Sequence, residues 1–245
     1  MSAYREFAPS RELHPLVACR WMRVVPEGSP SNSTLILPDG CVDLLWRDGE
    51  LVLAGPDRRA RLAPISPGEV IRGVRLRPGV AGAVIEKPAS EVLDGHFPLV
   101  EVLGTKALAA AEQLGESGDD AAFELLEGLV SAELRERGPD PLVLAASRRL
   151  GFPGSRVEWL ADALGISDRQ LRRRFHRFVG YGPKTLDRIL RFRRLVSRSP
   201  AIRSGDGDLA RLAADLGYAD QAHMTRDCVA LSGLTPGRLA ATWAT

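Results

Sequence analysis

The phrase LADALG (Leu160–Gly165) returns 52 residues later as LAADLG (Leu212–Gly217). Beyond the glycine the offset becomes 53, as if one residue were inserted in the second turn. Leu171 then matches Met224, Phe175 matches Cys228, Gly180 matches Gly233 and Pro183 matches Pro236. A repeat held across so many landmarks marks one supersecondary unit used twice.

Each copy carries the same physical logic. A short helix presents Leu, Ala and Leu on its inner face and ends at a glycine, which can take the left-handed conformation that closes a helix. An apolar residue follows (Ile166, Tyr218), and then Ser167 or Asp220 caps a second helix. Ala161 and Ala213 are small enough to let the two helices approach across a tight turn. This is a helix-turn-helix, present twice. Between the copies, Pro183–Ser197 has room for a connecting helix of about four turns, roughly 22 Å long.

Two such units joined by a helix resemble the C-terminal DNA-binding domain of the AraC family of transcription regulators, over about Arg156–Leu239. The resemblance rests on SDRQLRRRFHRFVGYGP (Ser167–Pro183) and on LGYADQAHMTRDCVALSGLTPGRL (Leu216–Leu239), with the Gly233–Pro236 close characteristic of the second unit. It implies a sequence-specific regulator of bacterial type whose partner is double-stranded DNA. It further implies RNA polymerase as a partner, and admits a small-molecule effector and a homodimer. Upstream, LPDGCVDLLW, AGPD and GVRLRPGVAG look like the domain of unknown function found ahead of this module in one subgroup.

The second helix of each unit is the one expected in the major groove. In the first, Leu171 and Phe175 mark the inner face, which leaves Arg169, Arg172 and Arg173 to line an outward stripe. Arginine forks suit guanine O6 and N7, and the resemblance places base contacts at these same three positions. Phosphate contact alone is the blander reading of some of them. Arg174, His176 and Arg177 read as phosphate or surface groups.

In the second unit the family alignment gives Gln221, Ala222, Thr225 and Arg226, with His223 beside them. This unit departs from the family pattern: an aromatic residue followed by basic ones is replaced by Cys228-Val229-Ala230, preceded by Asp227. The expectation is a less filled core and weaker phosphate attraction there, so that the first unit carries most of the binding energy. The linker supplies Arg188, Arg191, Arg193 and Arg194. For Arg191 a structural salt bridge and a DNA contact are equally expected. His223, Met224 and Cys228 could suggest a soft-metal site. On a regular helix, however, Met224 and Cys228 lie about 40° apart while His223 lies about 140° from Cys228, so the three cannot converge.

The first hundred residues have a different texture. Thr34–Leu37, Cys41–Trp46 and Leu51–Ala54 are short apolar runs separated by PDG and RDG turns. Val70–Arg77 alternates apolar and basic residues and stops at Pro78-Gly79. From Pro88 onward the pattern turns helical: a helix start at Pro88, then Lys106–Leu114, Asp119–Arg137 and Pro141–Leu150. The expected fold is therefore α+β. A β-rich sandwich or barrel with following helices occupies residues 1–150, of which 101–150 are mainly helical. An all-α DNA-binding domain occupies 151–245, with the boundary at Gly151–Ser155. Candidate ligand contacts in the first domain are Cys41, Asp43, Trp46 and Arg75, chosen for lying on strands of mixed polarity. Their ordinary alternatives are core, surface charge and a small buried thiol.

Composition agrees with this division. The net charge of +2 conceals a basic C-terminal part, with fifteen Arg and one Lys against nine Asp plus Glu from Gly151 onward, ahead of an acidic remainder. A basic part beside an acidic one suits a polyanionic partner. No apolar run approaches the roughly 20 residues of a membrane span, and the N-terminus lacks the apolar stretch of a secretory signal. Three widely spaced cysteines argue against a disulfide framework and fit a reducing cytoplasm. No GxSxG, phosphate-binding glycine loop or HExxH is present, so neither an enzyme nor a cofactor is expected. Two rivals remain: a regulator without a ligand, controlled by abundance or by a protein partner, and a cysteine-based DNA-damage or redox sensor. The zinc-tethered form of the latter needs four clustered cysteines.

Overall fold

The computed structural model describes residues 3–30, 32–204 and 208–242. Its N-terminal part is built on a six-stranded antiparallel sheet in the order β1-β2-β7-β4-β5-β8, faced by a two-stranded sheet of β3 and β6. The strands are β1 (Ala3–Phe7), β2 (Val17–Val24), β3 (Asn32–Ile36), β4 (Val42–Arg47), β5 (Glu50–Ala54), β6 (Arg61–Ile65), β7 (Val70–Leu76) and β8 (His96–Pro98). Helices α1 (Ala81–Val84), α2 (Val100–Leu103), α3 (Thr105–Gly115) and α4 (Asp119–Arg137) follow the strands, with β8 between α1 and α2.

Alternation along the strands decides the two faces of the large sheet. Val42, Leu44 and Trp46 of β4 join Val74 and Leu76 of β7, and all pack with Val84, Leu103, Leu114 and Leu126 from the helices. The opposite face carries a smaller cluster of Cys19, Trp21, Leu45, Val52, Ala54 and Ile71. Arg23 Nη1 donates to Thr34 Oγ1 (2.6 Å) and Arg47 Nη2 to the Pro64 carbonyl (3.4 Å), tying the small sheet to the large one. Trp21 lies against Gly73: a methyl there would stand 2.5 Å from the indole Cε2.

The expected strands at 34–37, 41–46, 51–54 and 70–77 appear within a residue or two as β3, β4, β5 and β7. Strands β1, β2, β6 and β8 were not anticipated. The helix expected from Pro88 is a single 3-10 turn, Ala89–Val92, because Leu93 is extended and Asp94 has a positive φ of 55°. The supposed basic face of β7 is internally paired: Arg72 bonds Asp119 at the start of α4, and Arg75 bonds Asp43.

The second part comprises α5 (Pro141–Leu150), α6 (Leu160–Ala163), α7 (Asp168–Phe178), α8 (Pro183–Val196), α9 (Ser199–Arg203), α10 (Leu209–Asp215), α11 (Gln221–Ser232) and α12 (Pro236–Thr242). Val143, Ala146 and Leu150 of α5 share one apolar core with Leu171, Phe175, Phe192, Met224 and Cys228. The core of the helical part thus includes the helix just ahead of Gly151. No helix among the described residues is long and apolar enough to cross a membrane.

Candidate nucleic-acid interface

The two repeats fold identically at their turns. Ile166 N donates to the Ala161 carbonyl (3.1 Å), and Tyr218 N donates to the Ala213 carbonyl (2.9 Å), the same bond 52 residues on. Gly165 and Gly217 both take positive φ, 65° and 80°, which satisfies the last carbonyls of the preceding helix. Ser167 then caps α7 through a reciprocal box: its Oγ accepts from Gln170 N (3.3 Å) while Gln170 Oε1 accepts from Ser167 N (2.9 Å). Asp220 Oδ1 accepts from His223 N (2.6 Å) to start α11. Pro183 and Pro236 open α8 and α12 at equivalent points.

Burial orients both recognition helices. In α7, Leu171 and Phe175 are buried, whereas Arg169, Arg172, Arg173, His176 and Arg177 are exposed. Among the described residues Arg169, Arg172 and Arg173 make no hydrogen bond or ion pair, so three guanidiniums stand free on one face. In α11, Met224, Asp227, Cys228 and Leu231 are buried, while Gln221, Ala222 and Arg226 are exposed and Thr225 and His223 half-buried. His223 lies at the margin of that outward face, edge-on to the Tyr218 ring with centroids 5.4 Å apart.

Other arginines serve the fold. Arg174, read from sequence as a phosphate or surface group, bonds the Asp140 carboxylate instead. Asp140 also caps α5 by accepting from Leu142 N and Val143 N. Arg191 pairs with Asp187 one turn earlier and lies 5.2 Å from the Tyr218 ring centroid. Arg194 donates to the Leu150 and Gly151 carbonyls, and Arg188 Nε donates to Asp227 Oδ1 (2.7 Å). Of the four linker arginines only Arg193 is fully exposed. Asp227 is only 8% exposed. Its charge is held by Arg188, away from the outward face where weaker phosphate attraction was expected from sequence.

The N-terminal candidates do not form one site. Asp43 and Arg75 face each other across β4 and β7, with Arg75 Nε 3.0 Å from Asp43 Oδ1. Trp21 Nε1 donates to the same oxygen (2.9 Å), and Asp39 Oδ2 lies 3.6 Å from Arg75 Nη1. Trp46 points to the opposite face of the sheet, into the main core. Cys41 is buried, and its backbone N donates to Asp39 Oδ1 (2.8 Å). Trp21 and Asp39 therefore belong to the Asp43–Arg75 cluster but escaped the sequence reading. The alternation Val17, Cys19, Trp21 was the available signal. All three cysteines are free and buried. Burial pushes the Cys19 thiol up to about 11 and raises those of Cys41 and Cys228, which leaves little thiolate at neutral pH. Among the described residues, no group of three or more His, Cys, Asp or Glu side chains could hold a metal.

The two parts dock closely. A methyl on Gly82 of α1 would strike the Arg177 carbonyl oxygen and stand 2.8 Å from Phe178 Cα, at the end of α7. One on Gly180 would stand 2.9 Å from Leu93 Cδ2. Ala60 N also donates to the Leu231 carbonyl (2.6 Å), reaching the end of α11.

A family model described as a helix-turn-helix domain matches residues 160–242, the segment that holds both units. This segment is an AraC-type helix-turn-helix domain. Residues 5–98 match the domain of unknown function DUF6597. The AraC-type match supports a DNA-binding transcription regulator. No curated protein matches the chain. Among solved structures, an apo variant of ToxT from Vibrio cholerae strain SCE256 is 8% identical, with a TM-score of 0.44 over 100% of this chain and 97% of that one. A ToxT structure from Vibrio cholerae at 9% identity has a TM-score of 0.42 over 100% and 99%. Wild-type ToxT bound to an unsaturated fatty acid, from strain SCE256, has 9% identity and a TM-score of 0.39 over 98% and 94%.

Proposed function

We propose that this regulator reads two adjacent major-groove segments with α7 and α11, about 34 Å apart along one side of the duplex. The observation that carries the reading is the unpaired trio Arg169, Arg172 and Arg173, standing free while neighbouring arginines are bonded inside the protein. Gln221, Ala222, Thr225 and Arg226, with His223 at their margin, form the second reading surface, where glutamine suits adenine and threonine the thymine methyl. The division of labour is residues 1–150 for regulation and 151–245 for DNA, with α5 at the end of the first part packed into the core of the second, in the cytoplasm of a bacterium. The N-terminal domain acts on reading through its docked face, where Gly82 meets the end of α7 and Ala60 meets the end of α11. One observation favours regulation without a small-molecule effector at the strand positions: Asp43 and Arg75 are bonded to each other.

The test is Arg172→Ala on duplexes selected from a random library. It should weaken binding by about tenfold and relax base preference at one position, as expected for loss of a bidentate contact. Unchanged affinity and preference would remove Arg172 from the reading surface.

A further inference from the structure

The repeat exposes a position that neither the reading surface nor the apolar core accounts for. Arg174 is the seventh residue of α7 and Asp227 the seventh of α11, 53 residues apart and thus equivalent in the repeat. Both lie on the inner border of their helices, and both bond an oppositely charged side chain on the helix that supports their unit. Arg174 reaches Asp140 at the start of α5. Asp227 takes Arg188 of α8, at 2.7 Å, and has His223 Nε2 3.7 Å away one turn earlier on its own helix. In each pair the carboxylate is the buried member, its side chain 5% exposed for Asp140 and 11% for Asp227, and the arginine side chain the more open one, at 38% and 41%. The geometry is repeated while the sign is reversed.

We propose that these two ion pairs are rotational clamps, and that Asp227 and Arg188 are positioning residues for the second reading head. A helix packed only through Met224, Cys228 and Leu231 can roll on that apolar stripe at little cost, because apolar burial has no direction. A charge-assisted hydrogen bond at the border of the stripe does have direction. Rolling α11 would separate Asp227 from Arg188 and leave a carboxylate in a poorly solvated place. The bond therefore fixes which residues of α11 face outward, namely Gln221, Thr225 and Arg226. Reversed polarity adds specificity, since exchanged pairing would set Arg174 against Arg188 and Asp227 against Asp140. Neither recognition helix can settle on the other unit's supporting helix without placing like charges together. The acidic residue that looked like a defect in a DNA-binding helix is in this view its alignment key.

The inference rests on the DNA-reading proposal, and the experiment separates the two. Wild type, Arg188→Asp, Asp227→Asn, Asp227→Arg and the double swap Arg188→Asp/Asp227→Arg are compared on a selected duplex and on versions with either half-site scrambled. Amide hydrogen exchange of α7 and α11 is followed in parallel without DNA. Each single variant should lose about tenfold in affinity through the second half-site, the scale of one lost base contact. Base preference there should relax and α11 should exchange faster, with the first half-site and α7 unchanged. The swap should restore exchange and base preference together. A swap that restores neither, or single variants that weaken both half-sites equally, overturns the clamp. Arg188 acting only as a phosphate ligand would give that first outcome, with exchange in α11 unmoved throughout. A wild type that selects no duplex sinks the DNA-reading proposal, and the exchange data still decide the clamp.

Discussion

Two glycines in helices, Gly82 in α1 and Gly128 in α4, should respond to alanine with opposite signs. A methyl at Gly128 meets nothing within 4 Å. The site lies mid-way along a 19-residue helix, so Gly128→Ala should gain about 1 kcal/mol from helix propensity and reduced unfolded-state freedom. In a chain of this size that is a rise of about 2–4 °C in melting temperature. At Gly82 the propensity gain is smaller, because α1 has only four residues. There the methyl would collide with the Arg177 carbonyl oxygen and stand 2.8 Å from Phe178 Cα and 3.0 Å from the Arg177 carbonyl carbon. These are backbone atoms of α7 and cannot rotate aside. Overpacking costs about 1–3 kcal/mol, which outweighs the gain and lowers the melting temperature by several degrees. The loss should be local as well as global. The Val179 and Gly180 amides, which donate to the Phe175 carbonyl at 2.8 and 3.0 Å, should exchange faster as the end of α7 loses its support. Thermal melts and hydrogen exchange of both variants give the answer. A Gly82→Ala protein that melts at or above wild type, with those amides still protected, would refute close docking of α1 on the first recognition helix.

Asp43→Ala should cost about 1–3 kcal/mol in urea unfolding, since it strands the Trp21 N–H and leaves Arg75 only the longer pairs to Asp39 and Glu6; Asp43→Asn, which keeps an acceptor for Trp21, should cost less. The Asp57–Arg61–His96 group should show opposed pH slopes. Burial raises Asp57 to about 6, so its contribution to stability grows as pH falls from 6 towards 4. Burial and the nearby Arg61 and Arg47 lower His96 to about 4, so its contribution is lost as pH falls from 6.5 towards 4. The melting-temperature difference His96→Gln minus wild type should therefore rise over that range, and Asp57→Asn minus wild type should fall; parallel curves for all three proteins would contradict both assignments. Cys228 is fully buried where the first unit has Phe175, so Cys228→Phe should overpack by about 1–3 kcal/mol and Phe175→Cys should leave a cavity costing about 2–4 kcal/mol. Stabilisation by Cys228→Phe in a thermal melt would instead reveal unfilled space in the second unit.

Local physics made the helical part legible. Gly165 and Gly217 read as helix closures, Ser167 and Asp220 as caps, Pro183 and Pro236 as helix starts, and the offset between copies showed that the unit is used twice. The sheet was half legible. Runs bounded by PDG and RDG stood out, but β1, β2, β6 and β8 gain their definition from partners distant in sequence. The register of Trp21 on Gly73 is one such case. Polar assignments were the least legible, because a charged side chain looks the same in sequence whether it is solvated or bonded. Arg75, Arg174 and Asp227 read as surface charges or as possible contacts, and each proved to be held by a partner on another element.

By itself, then, the sequence determined the two helix-turn-helix units and their outward arginines, because caps, turns and the helical period are set within a few residues. Tertiary structure alone decided which charges are free to meet DNA and which align the helices that read it. That choice depends on the distance between side chains brought together from elements far apart in sequence, and no local pattern encodes it.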